Sequence, residues 1–169
     1  MKTKYFFTIL VALYSIMTAT LTVNAQTIFY MDQLIESEIK GASDVHTVDL
    51  DGDEDIDILL ASWGKPEIAW YENDGSSNFG SRQIITTNTN GANSVYATDL
   101  DNDGDLDILS ASRWDDKIAW YENDGSGNFG EQQIITTATD GASDVHAADL
   151  DNDGDIDVLS ASGNDDKIA

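Results

Sequence analysis

Residues 99–107 read DLDNDGDLD, with carboxylates at Asp99, Asp101, Asp103, Asp105 and Asp107 and no base among them. Like charges about 4 Å apart repel by about 1 kcal/mol per pair in water, and by more when partly buried. A divalent cation reverses that sign. The alternate positions carry oxygens that a tight loop can turn toward one centre, and Gly104 allows positive φ at the sharpest bend. Asp105 can add its backbone carbonyl. Calcium takes six to eight oxygens in a flexible geometry, so such a loop supplies most of a shell that water completes; magnesium prefers a stricter octahedron and fits less well.

The stretch is not alone. Fifty residues on, the chain reads DLDNDGDID, with Asp149, Asp151, Asp153, Asp155 and Asp157; fifty residues earlier it reads DLDGDEDID, with Asp49, Asp51, Asp53, Asp55 and Asp57. The three segments hold 16 of the 32 acidic residues, a clustering that argues for local sites rather than general solubility. The first copy departs from the others: Glu54 replaces the glycine and Gly52 stands where they have Asn. A glutamate at positive φ costs about 1 kcal/mol or more, so the first site is expected to bind more weakly or to have a shifted turn. An EF-hand would need Glu or Asp at position 12 and flanking helices. Position 12 here is Leu60, Ser110 or Ser160.

The formal net charge is −24, which opposes binding to nucleic acid or to anionic lipid and makes cations the natural partners. Hydrophobic residues make up 41 %, too many for a disordered acidic tail. With no cysteine, disulfides contribute nothing, and ion binding can supply folding energy in their place.

The elements that must position these loops follow from the repeat. GASDVHTVDLD (41–51), GANSVYATDLD (91–101) and GASDVHAADLD (141–151) align without gaps, as do IAWYENDGSSNFG (68–80) and IAWYENDGSGNFG (118–130). Each unit reads as four short strands: 45–49, then the acidic loop, 56–62, 67–73, a turn, and 82–87. The second and third carry nearly continuous apolar runs, as expected of sheets covered on both faces. A fifty-residue unit of four strands has the size of a β-propeller blade; an open β-solenoid is the other repeat architecture of this period. The fold class is therefore all-β, with four-stranded antiparallel blades in an incomplete ring. Residues 26–40 read as the outer strand of a preceding or closing blade, 41–90 and 91–140 as two blade repeats, and 141–169 as a truncated third. The chain is expected to be part of a longer protein whose remaining blades complete the ring.

Residues 1–25 have Lys2 and Lys4, an apolar stretch from Tyr5 to about Met17, and Val23-Asn24-Ala25 at the end. This is the layout of a secretory signal peptide. The apolar core is broken by Ser15, Thr18 and Thr20 and falls short of the ~20 residues of a membrane span. A secreted or cell-surface protein, with no membrane insertion after cleavage, is expected.

Together these features resemble the FG-GAP/VCBS repeat family, which includes the blades of integrin α-subunit propellers. The resemblance rests on the nine-residue acidic loops, and on Asn78-Phe79-Gly80 leading to Gly91-Ala92 and Asn128-Phe129-Gly130 leading to Gly141-Ala142. It covers residues 26–169. It implies that each acidic loop joins the first and second strands of a blade. It also implies calcium ligands at Asp99, Asp101, Asp103, Asp107 and the carbonyl of Asp105, with the matching aspartates in the third copy. In the first copy Asp49, Asp51, Asp53 and Asp57 match.

His46 and His146 share a repeat position that Tyr96 fills in the middle copy, which favours strand packing over catalysis. Trp70 and Trp120 are equivalent and read as blade packing. The connection between second and third strands diverges, as WGKPE, RWDDK and GNDDK. In a four-stranded blade it lies opposite the acidic loops, exposing Trp63, Arg113 and Trp114 as a possible ligand face. Relaxed constraint explains that divergence as well as ligand binding does. No nucleophile–base constellation, Gly-rich phosphate loop or Gly-x-Ser-x-Gly is present. The leading expectation is an exported, calcium-binding, non-enzymatic scaffold for a surface protein or glycan. The alternative is the propeller portion of a secreted polysaccharide-degrading enzyme.

Overall fold

In the computed structural model, residues 34–169 are described, and Ile35–Ala169 forms one unit. The signal-peptide reading and most of the expected outer strand at 26–40 lie outside the described residues. Residues 34–40 carry no strand.

The described residues contain eleven strands and no helix. The first sheet orders β1 (Ala42–Val48), β2 (Asp57–Ser62), β3 (Glu67–Tyr71) and β4 (Gln83–Thr86) as sequential antiparallel neighbours. The second repeats this with β5 (Ala92–Thr98), β6 (Asp107–Ser112), β7 (Lys117–Tyr121) and β8 (Gln133–Thr136). A third sheet holds β9 (Ala142–Ala148), β10 (Asp157–Ser162) and β11 (Lys167–Ile168). These are propeller-like blades, and they do not close a ring. Solenoid coils are absent among the described residues.

Compared with the sequence reading, the first strand of each blade starts three residues earlier, at Ala42, and ends at Val48, before the acidic loop. The register shifts between Ala42 and Asp44, and again at the equivalent points of the other two sheets. Such a bulge increases local twist and lets the strand turn into its loop.

The blades face one another through the continuous apolar runs. Leu59, Ala61, Ile68 and Trp70 of the first blade pack on Val95, Ala97, Ile108, Ala119 and Tyr121 of the second. Leu109, Ala111 and Ile118 of the second pack on Ala142, Val145 and Ala147 of the third. Burial follows the presence of a neighbour rather than residue type: Val95 and Val145 are each 3 % exposed, whereas Val45 is 60 % exposed. Trp70 is buried, and Gly127 of the next blade sits so close that a Cβ there would lie 2.5 Å from its Cζ2. The expected packing role of this tryptophan is therefore met between blades. His46, Tyr96 and His146 also line up, with ring centroids 5.4 and 4.2 Å apart.

Polar contacts between residues about one repeat apart join the first strands. Ser43 Oγ donates to the Ala92 carbonyl at 2.7 Å, and Val95 N–H donates to Asp44 Oδ2 at 3.0 Å. Asn93 Nδ2 donates to the Ser143 carbonyl at 2.6 Å, and Ser94 Oγ to Asp144 Oδ1 at 2.8 Å. A charge reversal is accommodated where β3 and β7 begin. Buried Glu67 pairs with Lys65 at 3.0 Å and Arg82 at 3.1 Å. Its equivalent Lys117 donates instead to the Asn88 carbonyl at 2.9 Å and pairs with Asp115.

Candidate metal centre and ligand face

Each acidic loop joins the first two strands of its blade, so all three lie at the same blade end. Within the loop, carboxylates accept backbone N–H groups at short range and fold the chain around them. Asp49 accepts from Gly52 N at 2.8 Å and Glu54 N at 2.9 Å; Asp53 accepts from Asp55 N at 2.9 Å. The third loop repeats this, with Asp149 accepting from Asn152 N at 2.7 Å and Gly154 N at 3.1 Å. In the second loop Asp99 Oδ2 accepts from Gly104 N at 3.1 Å.

These turns bring ligand-type oxygens together. One oxygen each from Asp49, Asp51 and Asp53 lies within 4.8 Å of the others, as do those of Asp99, Asp101 and Asp103. In the third loop the group is Asp149, Asp151 and Asp157. Asp153 is not in that group; its Oδ1 accepts the Asp155 amide at 2.9 Å. In the second loop Asp99 Oδ1 is buried without a hydrogen-bond partner. An unpartnered buried carboxylate oxygen in a loop of gathered carboxylates is what a hard cation could use as a ligand.

In the first two loops the seventh and ninth positions behave differently from the first, third and fifth. The carboxylates of Asp55 and Asp105 turn away to lie against Gly75 and Gly125 of the NDG turns. A carbonyl is then what remains for these residues to offer. Asp57 and Asp107 are fully buried and are not gathered with the three-oxygen groups of their loops. Asp57 accepts from Leu50 N and Asn73 N, both at 2.9 Å. Asp107 accepts from Leu100 N at 3.2 Å and Asn123 N at 2.9 Å. Each is a pin that ties the loop to the end of the third strand. Every pinned oxygen keeps a second lone pair that a cation can use. In the third loop Asp157 accepts from Leu150 N at 3.0 Å and also joins the three-oxygen group.

Electrostatics agree with crowding. Burial, and then the negative charges of Asp101 and Asp103, push the Asp107 carboxyl up to about 6, against the pull of the Asn123 and Leu100 amides. Asp57 is raised by burial, with Asp53 and Asp49 adding to the rise and its two amide partners opposing it. Asp51 is raised by burial and then by Asp57 and Asp53. By contrast, Asp74 and Asp124 in the NDG turns are lowered, chiefly by the side-chain amides of Asn78 and Asn128.

The first loop keeps the backbone of the others. Glu54 has φ 75°, against 102° and 99° for Gly104 and Gly154. The turn is not displaced by a residue, and the strained glutamate the sequence foretold is present. What the sequence did not reveal is that position four also has positive φ: 76° at Gly52, 63° at Asn102 and Asn152. Asn is the residue that best tolerates this region after Gly, which is the signal that could have found it.

Asn123 was also missed. It is 2 % exposed, and its Nδ2 donates to the Leu50 carbonyl of the first loop at 2.8 Å and the Leu106 carbonyl of the second at 3.0 Å. It bridges two acidic loops. The repeat of YEND at 71–74 and 121–124 marks the position but not the bridge.

At the opposite blade end the β2–β3 and β6–β7 turns meet the links that lead into β1 and β5. Trp63 and Trp114 are 49 % and 56 % exposed, with ring centroids 5.9 Å apart and planes at 77°. With exposed Arg113, and with Gly91 and Asn93, they line a cleft of about 240 Å³. The three residues expected on a ligand face are thus brought together.

Among curated proteins, none matches the chain. The family model described as FG-GAP-like repeat matches residues 49–110 and again 99–160. Each match runs from one acidic loop through the next, and together they span well over half of the 169 residues. Loop, strands and spacing are thus matched as one unit, and the chain belongs to the FG-GAP-like repeat family.

Proposed function

We propose that this chain is an exported calcium-binding scaffold whose blades present a surface for binding another molecule outside the cell. The observation that carries the reading is the triple recurrence of three carboxylate oxygens within 4.8 Å, one group per blade, all at one end of the sheets. Asp49, Asp51 and Asp53 would hold one ion, Asp99, Asp101 and Asp103 a second, and Asp149, Asp151 and Asp157 a third. The carbonyls of Asp55, Asp105 and Asp155 and the free lone pairs of Asp57 and Asp107 are further oxygens. Calcium would supply the charge neutralisation that lets each loop hold its fold.

Ions so placed secure the scaffold, because Asn123 joins the first loop to the second and the first loop also lies against Gly127 of the next blade. Recognition then belongs to other loops, with a glycan or a surface protein as the partner. Export is supported by the character of residues 1–25. The −24 charge argues against nucleic acid as the partner.

Melting the full chain with calcium and with chelator tests the ion reading. Saturation to 100 times Kd at one site stabilises by about 2.7 kcal/mol, and several sites by more. An unchanged melting temperature refutes structural calcium, and equilibrium dialysis counts the sites, with up to three expected.

A further inference from the structure

We infer that the cleft between Trp63 and Trp114 binds a neutral sugar ring of a glycan, an inference that rests on the reading of the chain as an extracellular binding scaffold.

The two tryptophans occupy non-equivalent repeat positions. Moving fifty residues on from Trp63 gives Arg113, and moving fifty back from Trp114 gives Gly64. Residues that pack blades recur in register, as Leu59 and Leu109 or Ile68 and Ile118 do. Trp63 and Trp114 do not recur, yet the fold brings them into one edge-to-face contact with about half of each indole left open.

Both rings are held in advance of any ligand. A Cβ at Gly41 would stand 2.7 Å from Trp63 Cε2, and one at Gly91 would stand 2.8 Å from Trp114 Cδ2, so each indole rests directly on glycine backbone. Trp63 N donates to the Gly41 carbonyl, Arg113 N to that of Gly91 and Trp114 N to that of Asn90, each at 2.9 Å. A platform fixed in this way loses little entropy on binding. In the third blade, Asn164 lies over Gly141 and bonds to Asp140, leaving no aromatic surface there.

The polar groups at the cleft select the ligand. Arg113 is exposed and makes no ion pair among the described residues, in a chain with 32 acidic residues. Its guanidinium donors are available. Asn93 is anchored through Nδ2 to the Ser143 carbonyl, which leaves its side-chain carbonyl to accept. Flat aromatic faces beside one donor group and one acceptor match a pyranose ring, whose C–H face is apolar and whose hydroxyls both donate and accept. An anionic sugar would gain from Arg113 but would approach a molecule of net charge −24. A quaternary ammonium would face the Arg113 cation. A volume of about 240 Å³ falls below the roughly 300–1,000 Å³ of drug-sized sites and suits a single ring.

The test uses the calcium-saturated full chain. Indole fluorescence and calorimetry are followed while neutral gluco-, manno-, galacto- and xylo-oligosaccharides are added. Oligogalacturonate and an unstructured peptide run alongside. The expected result is saturable binding of at least one neutral series, weakened about tenfold or more in Trp63→Ala and in Trp114→Ala, a loss of about 1.4 kcal/mol or more. Trp114→Phe should retain part of the affinity. The melting shift produced by calcium should be unchanged in all three variants, which shows that they fold. Binding of oligogalacturonate or peptide alone, no neutral binding by the folded chain, or neutral binding unaffected by both alanine variants overturns the inference. If sugar fails while the calcium shift persists, this site assignment falls and the calcium scaffold stands. If sugar binds without any calcium shift, the reverse holds.

Discussion

Asp107 and Asp101 lie in one loop, yet the cost of losing each should depend differently on calcium. Asp107 is fully buried and holds two backbone amides, Leu100 N at 3.2 Å and Asn123 N at 2.9 Å. Replacing it with Ala strands both. Each stranded buried amide costs about 1–3 kcal/mol. Removal of a carboxylate that burial already disfavours returns part of this, so a net loss of about 2–4 kcal/mol is expected with or without calcium. Asp101 is exposed, and its Oδ1 accepts one amide, from Asp103 at 3.2 Å. Its charge adds to the crowding, so Asp101→Ala should be within about 0.5 kcal/mol of wild type in chelator and clearly destabilising in calcium. Urea unfolding at pH 7.5 in both buffers reads the four differences. The reasoning is refuted if Asp107→Ala loses nothing in chelator, or if Asp101→Ala is as damaging there as in calcium.

The pH dependence has a defined sign. The folded pKa of Asp107, about 6, lies above its ordinary value of 3.8, so the folded state holds the proton more tightly. In calcium-free buffer its contribution is fully present below about 4 and is lost as pH rises through about 6; comparing urea midpoints of wild type and Asp107→Asn across that window isolates it, and equal slopes would contradict the assignment. Calcium reverses the trend, because ligation needs ionised carboxylates, so calcium affinity should fall as pH drops through about 6. Glu54→Gly should stabilise the calcium-free chain by about 1 kcal/mol by relieving positive φ, measured as a raised melting temperature. Gly127→Ala should cost about 1–3 kcal/mol through overpacking against Trp70 in addition to strain at φ 70°. Gly104→Ala, with nothing within 4 Å of the new Cβ, should show backbone strain alone.

Much of this molecule is local in origin and therefore legible in the chain. Acidic loop, apolar run and NDG turn recur at fifty residues, and short-range rules set strand order, loop placement and the positive φ at Gly104. The strained Glu54 could be foretold because steric limits on φ depend on the residue itself. The same period identified blades, since four short strands cannot bury two apolar faces without a neighbour.

What remained hidden depends on contacts between units. That Asp57 and Asp107 act as pins needs the ends of β3 and β7 beside the loops. The bridge from Asn123 to the first loop spans 73 residues, and no local spacing encodes it. The exchange of Glu67 for Lys117 looks like a broken repeat until Arg82 and Lys65 on one side, and Asn88 and Asp115 on the other, are seen to satisfy it. Trp63 and Trp114 were legible as exposed residues of a variable turn; only the juxtaposition of two blades made them one cleft. The sequence by itself determined the repeat, its all-β class and the crowded oxygens, because these follow from residue type and short-range geometry. The tertiary structure decided which oxygens converge, which are spent on backbone amides, and where two unrelated turns meet, because those outcomes depend on how far one blade is rotated against the next.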